Sequence, residues 1–327
     1  MGGPVGPPKT MFATGSPILW ASFLALILFF LALDLGVLNR KDHQLGTGEA
    51  LRWVAIWATC ALAFCGFVAW RFGNAKALDF LTGYVLELSL SVDNLFVFVL
   101  LFGTFRIPGH LQHRVLFWGI LGALILRATM IIGGTALLSR FAWLIYVFGA
   151  FLLLSGIKLL FHDEEEHHPE KSWAFRTLRR VIPSTSRIEG HRFTLVENGR
   201  RLATPLLLAL ILIELSDVVF ALDSVPAIFG VTLDPFIVFT SNVFAILGLR
   251  SIYFVLARLM GRFEYLHFGL SAVLAFIGAK MLLSHWLHVP SALSLGVVLV
   301  LLAGSMIYSV WRTARTDRTA GDGADPR

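Results

Sequence analysis

Charged residues are scarce in this sequence. Asp, Glu, Lys and Arg together make up 15% of its 327 residues, whereas 57% of the residues are hydrophobic. A water-soluble chain of this length needs more polar surface than such a composition supplies. The scarcity of charge therefore excludes an ordinary soluble globule and indicates that lipid surrounds most of the chain.

Cysteines are few, and nucleotide-binding motifs and protease signatures are absent from the sequence. Only Cys60 and Cys65 occur. Residues five apart on a helix point about 140° away from each other, so these two are expected to be packing residues and not a disulfide or a metal site. The chain has no GxxxxGK motif followed by Ser or Thr, which argues against direct coupling to ATP. It also has no Gly-x-Gly-Asp signature of intramembrane aspartyl proteases.

Long apolar stretches are what the sequence has in abundance. Nine of them approach the roughly 20 residues that a helix needs to cross a bilayer. They fall at about 17–38, 52–70, 79–102, 114–138, 141–161, 204–230, 235–258, 265–286 and 291–311. The first stretch lacks the cleavage site of a secretory signal, so it is expected to be a true span. The predicted fold class is an all-α polytopic membrane protein with about nine transmembrane helices.

Lysine and arginine predict how these spans are oriented. With the N-terminus outside and the C-terminus in the cytoplasm, the outer segments hold only Lys9, Arg71, Lys76 and Arg140, and the remaining loops and the tail hold many more bases. This bias follows the positive-inside rule. The net charge of +6 is therefore explained by the membrane and not by a nucleic-acid partner. A bacterial inner (plasma) membrane is the expected location.

One long polar interruption divides the chain. The predicted organisation is a flexible N-terminal leader (1–16), a first block of five spans (17–161), a cytoplasmic loop (162–203), a second block of four spans (204–311) and a disordered cytoplasmic tail (312–327). The loop opens with HDEEEHHPE, which could collect metal ions or could simply be a solvated charge run. Near its end, Asn198-Gly199 predicts a hairpin turn.

Acidic residues lie deep inside two of the apolar stretches. The third carries Glu87 and Asp93, and the sixth carries Glu214, Asp217 and Asp223. An ionised acid at the centre of a span costs about 2.5–3.5 kcal/mol on insertion scales, so such a residue usually marks a pathway or a partner. These five acids must therefore be protonated, paired or bound to a cation.

Helical periodicity places some of these groups together. At 100° per residue, Glu87, Ser91 and Asn94 share one stripe, and Glu214 and Asp217 lie one turn apart. Spans three and six both carry Glu-Leu-Ser followed by an Asp, and they cross the membrane in opposite directions in the predicted topology. An inverted repeat, common in secondary transporters, has this appearance.

Pro226 complicates the sixth span. Asp223 would face the opposite side of a straight helix from Glu214. Because proline cannot donate to the backbone ladder, a break at Pro226 is predicted, and it could turn Asp223 and Ser224 toward the other acids.

The candidate ligands are all oxygen donors, which suits hard cations such as Mn²⁺, Mg²⁺ or Ca²⁺. From Glu87 to Asp93 the helix rises about 9 Å, and from Glu214 to Asp223 about 13 Å, so one ion cannot touch all five acids. One main site with flanking carboxylates is expected. The predicted metal-binding residues are Glu87, Asp93, Asn94, Glu214, Asp217 and Asp223, with Ser91, Ser224 and Asn242 in support.

A structural alternative stays open at this point. The acids could neutralise the buried bases Arg127 and Arg250 in ion pairs, although five acids exceed two bases. Asn242 could complete a metal site or merely bridge two helices.

Four longer motifs resemble the TerC family, and within it the Alx-like branch. They are DLGVLNR (34–40), ELSLSVDNLFVF (87–98), ATPLLLALILIELSDVVFALDSVPAIF (203–229) and FTSNVFAILGLRSIYF (239–254), and the resemblance covers roughly residues 17–311. It implies a fold of the LysE-like transporter group and export of Mn²⁺, with the five acids matching the family's intramembrane acids. Manganese comes from the resemblance; the residues alone indicate a hard divalent cation.

The predicted function is therefore export of a divalent metal cation, with Mn²⁺ as substrate, by alternating access and in possible exchange for protons. No prosthetic cofactor and no enzyme activity are expected. An intramembrane aspartyl protease using Asp93 and Asp217 is one alternative. Another is an assembly or scaffold factor whose loop binds the secretion machinery or metal-requiring enzymes. A homo-oligomer is also compatible with the sequence.

Overall fold

Helices account for most of the chain. The computed structural model describes residues 16–38, 46–161, 177, 180–197, 199–259, 266–287 and 289–322. Its helices there are α1 Pro17–Leu38, α2 Thr47–Phe72, α3 Asn74–Thr104, α4 Gly109–Arg140, α5 Leu144–Leu160, α6 Pro205–Phe229, α7 Pro235–Leu259, α8 Leu266–Leu282 and α9 Ser291–Asp322. Each overlaps one predicted apolar stretch. The predicted leader up to residue 15 and the HDEEEHHPE segment lie outside the described residues.

The helices have the composition of membrane spans. Within the described ranges, six are long and apolar enough to cross a bilayer, namely α2, α3, α4, α6, α7 and α9. The apolar parts of α1, α5 and α8 are shorter: Pro17–Phe30, Leu144–Leu160 and Phe268–Leu282. Large apolar side chains such as Leu215 and Val219 are exposed on the outer surface, as lipid-facing positions require. The chain is thus a helical polytopic membrane protein, while nine spans and their orientation stay predictions.

Helix α3 is central to the bundle, where it contacts α2, α6, α7 and α9. The aromatic rings of Phe80 and Phe102 pack on those of Phe244 and Tyr253 in the same order along the chain, so α3 and α7 run in the same direction. These rings belong to a core rich in phenylalanine that α2, α3 and α7 share. The most enclosed of the long helices is α7.

Helices α3 and α6 run in opposite directions. Gly119 and Gly134 of α4 lie against Ile213 and Phe229 of α6, so α4 and α6 are parallel. The short connection 105–108 turns the chain back between α3 and α4, which makes α3 antiparallel to α6. An inverted repeat requires this relation, but the repeat itself stays a prediction.

A second close pair consists of α5 and α8. A Cβ at Gly156 or Gly278 would collide with backbone atoms of the other helix, and Ser271 donates its hydroxyl to the carbonyl of Gly156. Small residues let two helices approach in this way, and membrane proteins rely on such contacts because lipid removes most of the hydrophobic gain from helix association.

The predicted break at Pro226 is wrong. Helix α6 runs without interruption to Phe229, and the N–H of Gly230 donates to the carbonyl of Pro226 at 3.1 Å. Pro226 has no N–H to donate to the carbonyl of Leu222, so one bond of the ladder is missing, but the backbone stays helical to Phe229, as helices in membrane proteins often do around a proline. Asp223 therefore keeps the direction expected for a straight helix.

The loop before α6 contains a hairpin. Strands β1 Thr194–Glu197 and β2 Arg200–Ala203 pair antiparallel around residues 198–199. Gly199 has a φ of 74°, the left-handed conformation that this tight turn needs and that glycine adopts without strain. The guanidinium of Arg114 on α4 lies 5.3 Å from the centre of the Phe193 ring, which holds the hairpin near the beginning of α4.

The end of the chain corrects one further prediction. Helix α9 continues to Asp322, so the tail predicted to be disordered from residue 312 is helical as far as that residue. The reason is compositional, because no proline or glycine interrupts the sequence between Arg312 and Ala320.

Candidate functional site

The buried charges in the bundle centre on Arg127 of α4. Its guanidinium forms an ion pair with Glu87 of α3, and its Nη1 also donates to Asn242 Oδ1 on α7 at 2.9 Å. The amide of Asn242 donates back to Glu87 Oε2 at 3.0 Å. All three residues are at most 2% exposed. Three helices are thus joined by a closed ring of charge-assisted hydrogen bonds.

Two more residues extend this ring. Ser91, one turn after Glu87 on α3, donates its hydroxyl to Glu87 Oε1 at 3.1 Å. Asp217 on α6 places its Oδ2 3.8 Å from Arg127 Nε. We call the five residues Glu87, Ser91, Arg127, Asp217 and Asn242 the Arg127 network. Because they come from α3, α4, α6 and α7, the network lies where the antiparallel helices α3 and α6 meet.

The α6 side of the network is poorly satisfied. Arg127 Nε and Asp217 Oδ2 are buried, and neither has a hydrogen-bond partner in the part of the chain that the structure describes. The same holds for the hydroxyl of Ser224, two turns further along α6 on the face of Asp217. Buried polar atoms are rarely unpaired in native proteins, and each exception needs an explanation such as a bound ion or a functional strain.

Glu214 lies next to the network without belonging to it. Its carboxylate fits against Gly122 of α4, where any side chain would collide with it, and the residue is half-buried. Among the described residues no hydrogen bond and no ion pair to Glu214 is present. Asp217 is one turn away, so the two carboxylates are neighbours on α6.

Asp223 points elsewhere. It accepts a hydrogen bond from Ser155 of α5 at 3.2 Å, and α6 is straight enough to keep it away from the Arg127 network. The structure thus separates the three acids of α6: Asp217 faces α4 and α3, Glu214 faces Gly122, and Asp223 faces α5.

The remaining predicted ligands are described unequally. Asn94 is buried, with 4% of its surface exposed. Asp93 lies in α3, but its side chain is outside what the structure describes. Among the described side chains, no group of three or more His, Cys, Asp or Glu residues is close enough to hold a metal ion. Of the predicted ligands whose side chains are described, the structure brings Glu87 and Asp217 together at one arginine.

The sequence analysis treated Arg127 only as part of a structural alternative, although a lone guanidinium inside an apolar span costs as much as a lone carboxylate. That cost could have marked Arg127 as a candidate residue of the site. The ion pair that the structural alternative expected is present at Glu87, which also accepts hydrogen bonds from Asn242 and Ser91.

A second charged cluster was missed altogether. Lys76 forms a 3.0 Å ion pair with Asp234, and Asp79 accepts the hydroxyl of Ser291. Asp234 also accepts the N–H of Phe236 at 3.1 Å, which caps the first turn of α7. We call Lys76, Asp79, Asp234 and Ser291 the end cluster, because it ties the start of α3 to the starts of α7 and α9. The Asp-Pro pair that opens α7 was a readable N-cap signal.

Sequence comparisons agree with the motif resemblance. The family described as Integral membrane protein TerC family matches residues 72–317. The chain is 54% identical over 314 residues to an uncharacterised membrane protein of Myxococcus xanthus, covering 96% of this chain and 98% of that protein. It is 45% identical over 320 residues to a protein of Escherichia coli strain K12 provisionally named membrane-bound redox modulator Alx, covering 95% and 100%.

A more distant relative shows the same coverage. An uncharacterised membrane protein of Rickettsia felis is 38% identical over 298 residues, which is 91% of this chain and 99% of that protein. The comparison with solved structures gives no match. Because the family match and the full-length relatives cover all four helices of the Arg127 network, this chain belongs to the TerC family of integral membrane proteins.

Proposed function

We propose that this chain exports a divalent metal cation, with Mn²⁺ as substrate, from the cytoplasm across the bacterial inner membrane. The observation that carries the proposal is Asp217: a buried carboxylate at the meeting of two antiparallel helices, with one oxygen that has no hydrogen-bond partner among the described residues. Family membership supports a membrane transporter in general terms. Manganese itself rests on the resemblance noted above.

The chemistry of the donors supports a hard cation. Around Glu87 and Asp217 the described oxygen atoms are those of the two carboxylates, the Asn242 amide and the Ser91 hydroxyl. Thiolate and imidazole, which favour Zn²⁺ or Cu⁺, are not among the predicted ligands. Oxygen sites of this kind suit Mn²⁺ and Mg²⁺.

The antiparallel relation of α3 and α6 supports alternating access. Secondary transporters commonly bind their substrate where two such elements meet near the middle of the membrane. In the proposed cycle, the cation enters from the cytoplasm, binds between Glu87 and Asp217, and leaves on the other side. Proton exchange is proposed as the counter-flux.

A redox role, which the name of the E. coli relative suggests, would have to act indirectly in this chain. Its two cysteines, Cys60 and Cys65, are both free, and they lie on α2, which supplies no residue of the Arg127 network. Metal export can change the redox state of a cell without redox chemistry in the exporter. We therefore favour transport as the primary activity.

Flux measurements test the proposal. Full-length chain in proteoliposomes should move Mn²⁺, and Asp93→Asn and Asp217→Asn should each lower the flux about 10–100-fold, the usual loss when a metal site is damaged. Glu197→Gln is the matched control, since Glu197 is an acid on the hairpin whose described contacts are on that loop. A panel of Mn²⁺, Mg²⁺, Ca²⁺, Fe²⁺ and Zn²⁺ at two pH values would identify the ion. Unchanged flux in both Asp variants would sink the site assignment.

A further inference from the structure

Arg127 supplies a positive charge that a transported cation would make superfluous. Its guanidinium, 2% exposed, faces Glu87 and Asp217 at once. One arginine against two carboxylates leaves a single negative charge unbalanced. A divalent cation bound to both carboxylates would balance them completely, and the guanidinium beside it would then be an unpaired charge in a low-dielectric interior. Arginine and substrate are therefore competitors for the same two carboxylates.

The contacts of Arg127 are one-sided. Its Nη1 donates to both Glu87 and Asn242, whereas its Nε stands 3.8 Å from Asp217 Oδ2 and donates to no atom of the described residues. A permanent structural ion pair at this depth is expected to satisfy the donors and acceptors on both sides. The Asp217 contact is thus the weak one, and it can be given up without breaking a hydrogen bond.

A second acceptor for the guanidinium lies nearby. Glu214 is one turn before Asp217 on α6, and its carboxylate touches Gly122 on α4, the helix that carries Arg127. No cation is paired with Glu214 among the residues that the structure describes. One helical turn is about 5.4 Å, a distance that a long arginine side chain covers by changing rotamers.

We propose that Arg127 is a tethered counter-cation, which compensates part of the charge of Glu87 and Asp217 between transport cycles and is displaced toward Glu214 when the metal cation binds. The inference rests on the proposed function. In this proposal the Arg127 guanidinium, a side chain of the protein itself, competes with the metal cation for Glu87 and Asp217. The return of the guanidinium to Glu87 then helps to expel the cation, because both cannot occupy the carboxylates together.

Equilibrium binding of Mn²⁺ to the purified full-length chain, followed by electron paramagnetic resonance of the free ion, tests the competition. Arg127→Gln removes the competitor and should bind Mn²⁺ about tenfold tighter or more. Its flux in proteoliposomes should fall, because release is slower. Weaker binding by this variant than by the unmodified chain would overturn the proposal, since a purely structural arginine predicts that result.

Arg127→Gln leaves two buried carboxylates without their counter-charge, so this variant is at risk of misfolding. A second readout and a second variant keep the competition testable in that case. Mn²⁺ should raise the melting temperature of Arg127→Gln by more than it raises that of the unmodified chain. Arg127→Lys keeps a charge but not the planar fork that bonds Glu87 and Asn242 together. The Arg127→Lys variant should bind Mn²⁺ more tightly than the unmodified chain does. Equal or weaker binding would contradict the competition, even if Arg127→Gln does not fold.

A double-mutant cycle tests the role of Glu214. Glu214→Gln should weaken Mn²⁺ binding about tenfold when Arg127 is present, because the displaced guanidinium loses its acceptor, and should have little effect when Arg127 is glutamine. Equal losses in both backgrounds would make Glu214 a metal ligand and overturn the displacement. Failure of the proposed function would look different: in that case the unmodified chain would neither bind nor transport Mn²⁺.

Discussion

The two buried charge clusters of this protein differ in how completely their members are paired. In the end cluster, Asp234 takes both the ammonium of Lys76 and the N–H groups that open α7. In the Arg127 network, Asp217 Oδ2 and Arg127 Nε face each other at 3.8 Å with no hydrogen bond to the described residues. A fully satisfied polar cluster specifies structure, whereas a partly satisfied one retains a capacity to bind.

The two clusters also differ in how far their charged groups are exposed. Lys76 is partly exposed, with 31% of its side chain accessible, so the surroundings of the bundle can screen the charge of the end cluster. Glu87 and Arg127 are 2% exposed each, so solvent screens their charges far less than it screens Lys76. The comparison therefore predicts that substitutions in the end cluster change stability, and that substitutions on the α6 side of the network change transport.

The largest effect is expected from Glu87→Ala. This change leaves the buried Arg127 guanidinium with Asn242 and with Asp217, whose Oδ2 is 3.8 Å from Arg127 Nε, and loss of one partner of a buried ion pair costs about 3–5 kcal/mol. Both stability and flux should collapse. Thermal unfolding in detergent measures the first effect. Glu87→Ala combined with Arg127→Leu removes both charges and should recover most of the stability but none of the flux; failure of this pair to recover stability would show that Arg127 is not the partner that matters.

Asp217→Asn and Asp234→Asn form the matched pair that tests the comparison itself. Asp217→Asn should change the free energy of unfolding by less than about 1 kcal/mol, because Asp217 has no hydrogen bond to lose among the described residues, while Mn²⁺ binding falls about 10–100-fold. Asp234→Asn loses the ion pair with Lys76 but can still cap α7, so it should cost about 0.5–1 kcal/mol and leave binding unchanged. The reverse pattern, with Asp234 needed for binding, would contradict the division of roles.

The sequence predicted the helices well and the contacts between them poorly. The nine apolar stretches overlap α1–α9 because the length of an apolar run is a local property. The pairing of Glu87 with Arg127 is 40 residues distant in sequence, and it depends on how α3 and α4 are rotated about their axes. Such rotations follow from packing contacts, including Gly119 and Gly134 against α6, that periodicity alone does not report.

Two details of α6 show where local rules stop. The direction of Asp223 followed correctly from 100° per residue, as its hydrogen bond with Ser155 of α5 shows. The predicted break at Pro226 is absent, because α6 tolerates the one missing backbone bond and stays helical to Phe229, which the local rule for proline does not predict. The sequence could name the acids of the candidate site, but it could not decide which of them face one another.

The smallest effect is expected from Asp223→Asn. Asp223 is an acid of α6 that belongs to neither cluster, so it serves as a reference for both. The amide oxygen of the substituted side chain would still accept the hydroxyl of Ser155, so the free energy of unfolding should change by less than about 1 kcal/mol. If the two carboxylates of the Arg127 network suffice for binding, Mn²⁺ affinity should change by less than about threefold, because Asp223 contacts Ser155 of α5 and shares no partner with the network. Ser155→Ala, which removes the same contact from α5, is the matched control. A loss of flux in Asp223→Asn without a loss of affinity would assign Asp223 to the route of the ion and not to its binding site, because a residue that only relays the cation lowers the rate and leaves the equilibrium constant unchanged.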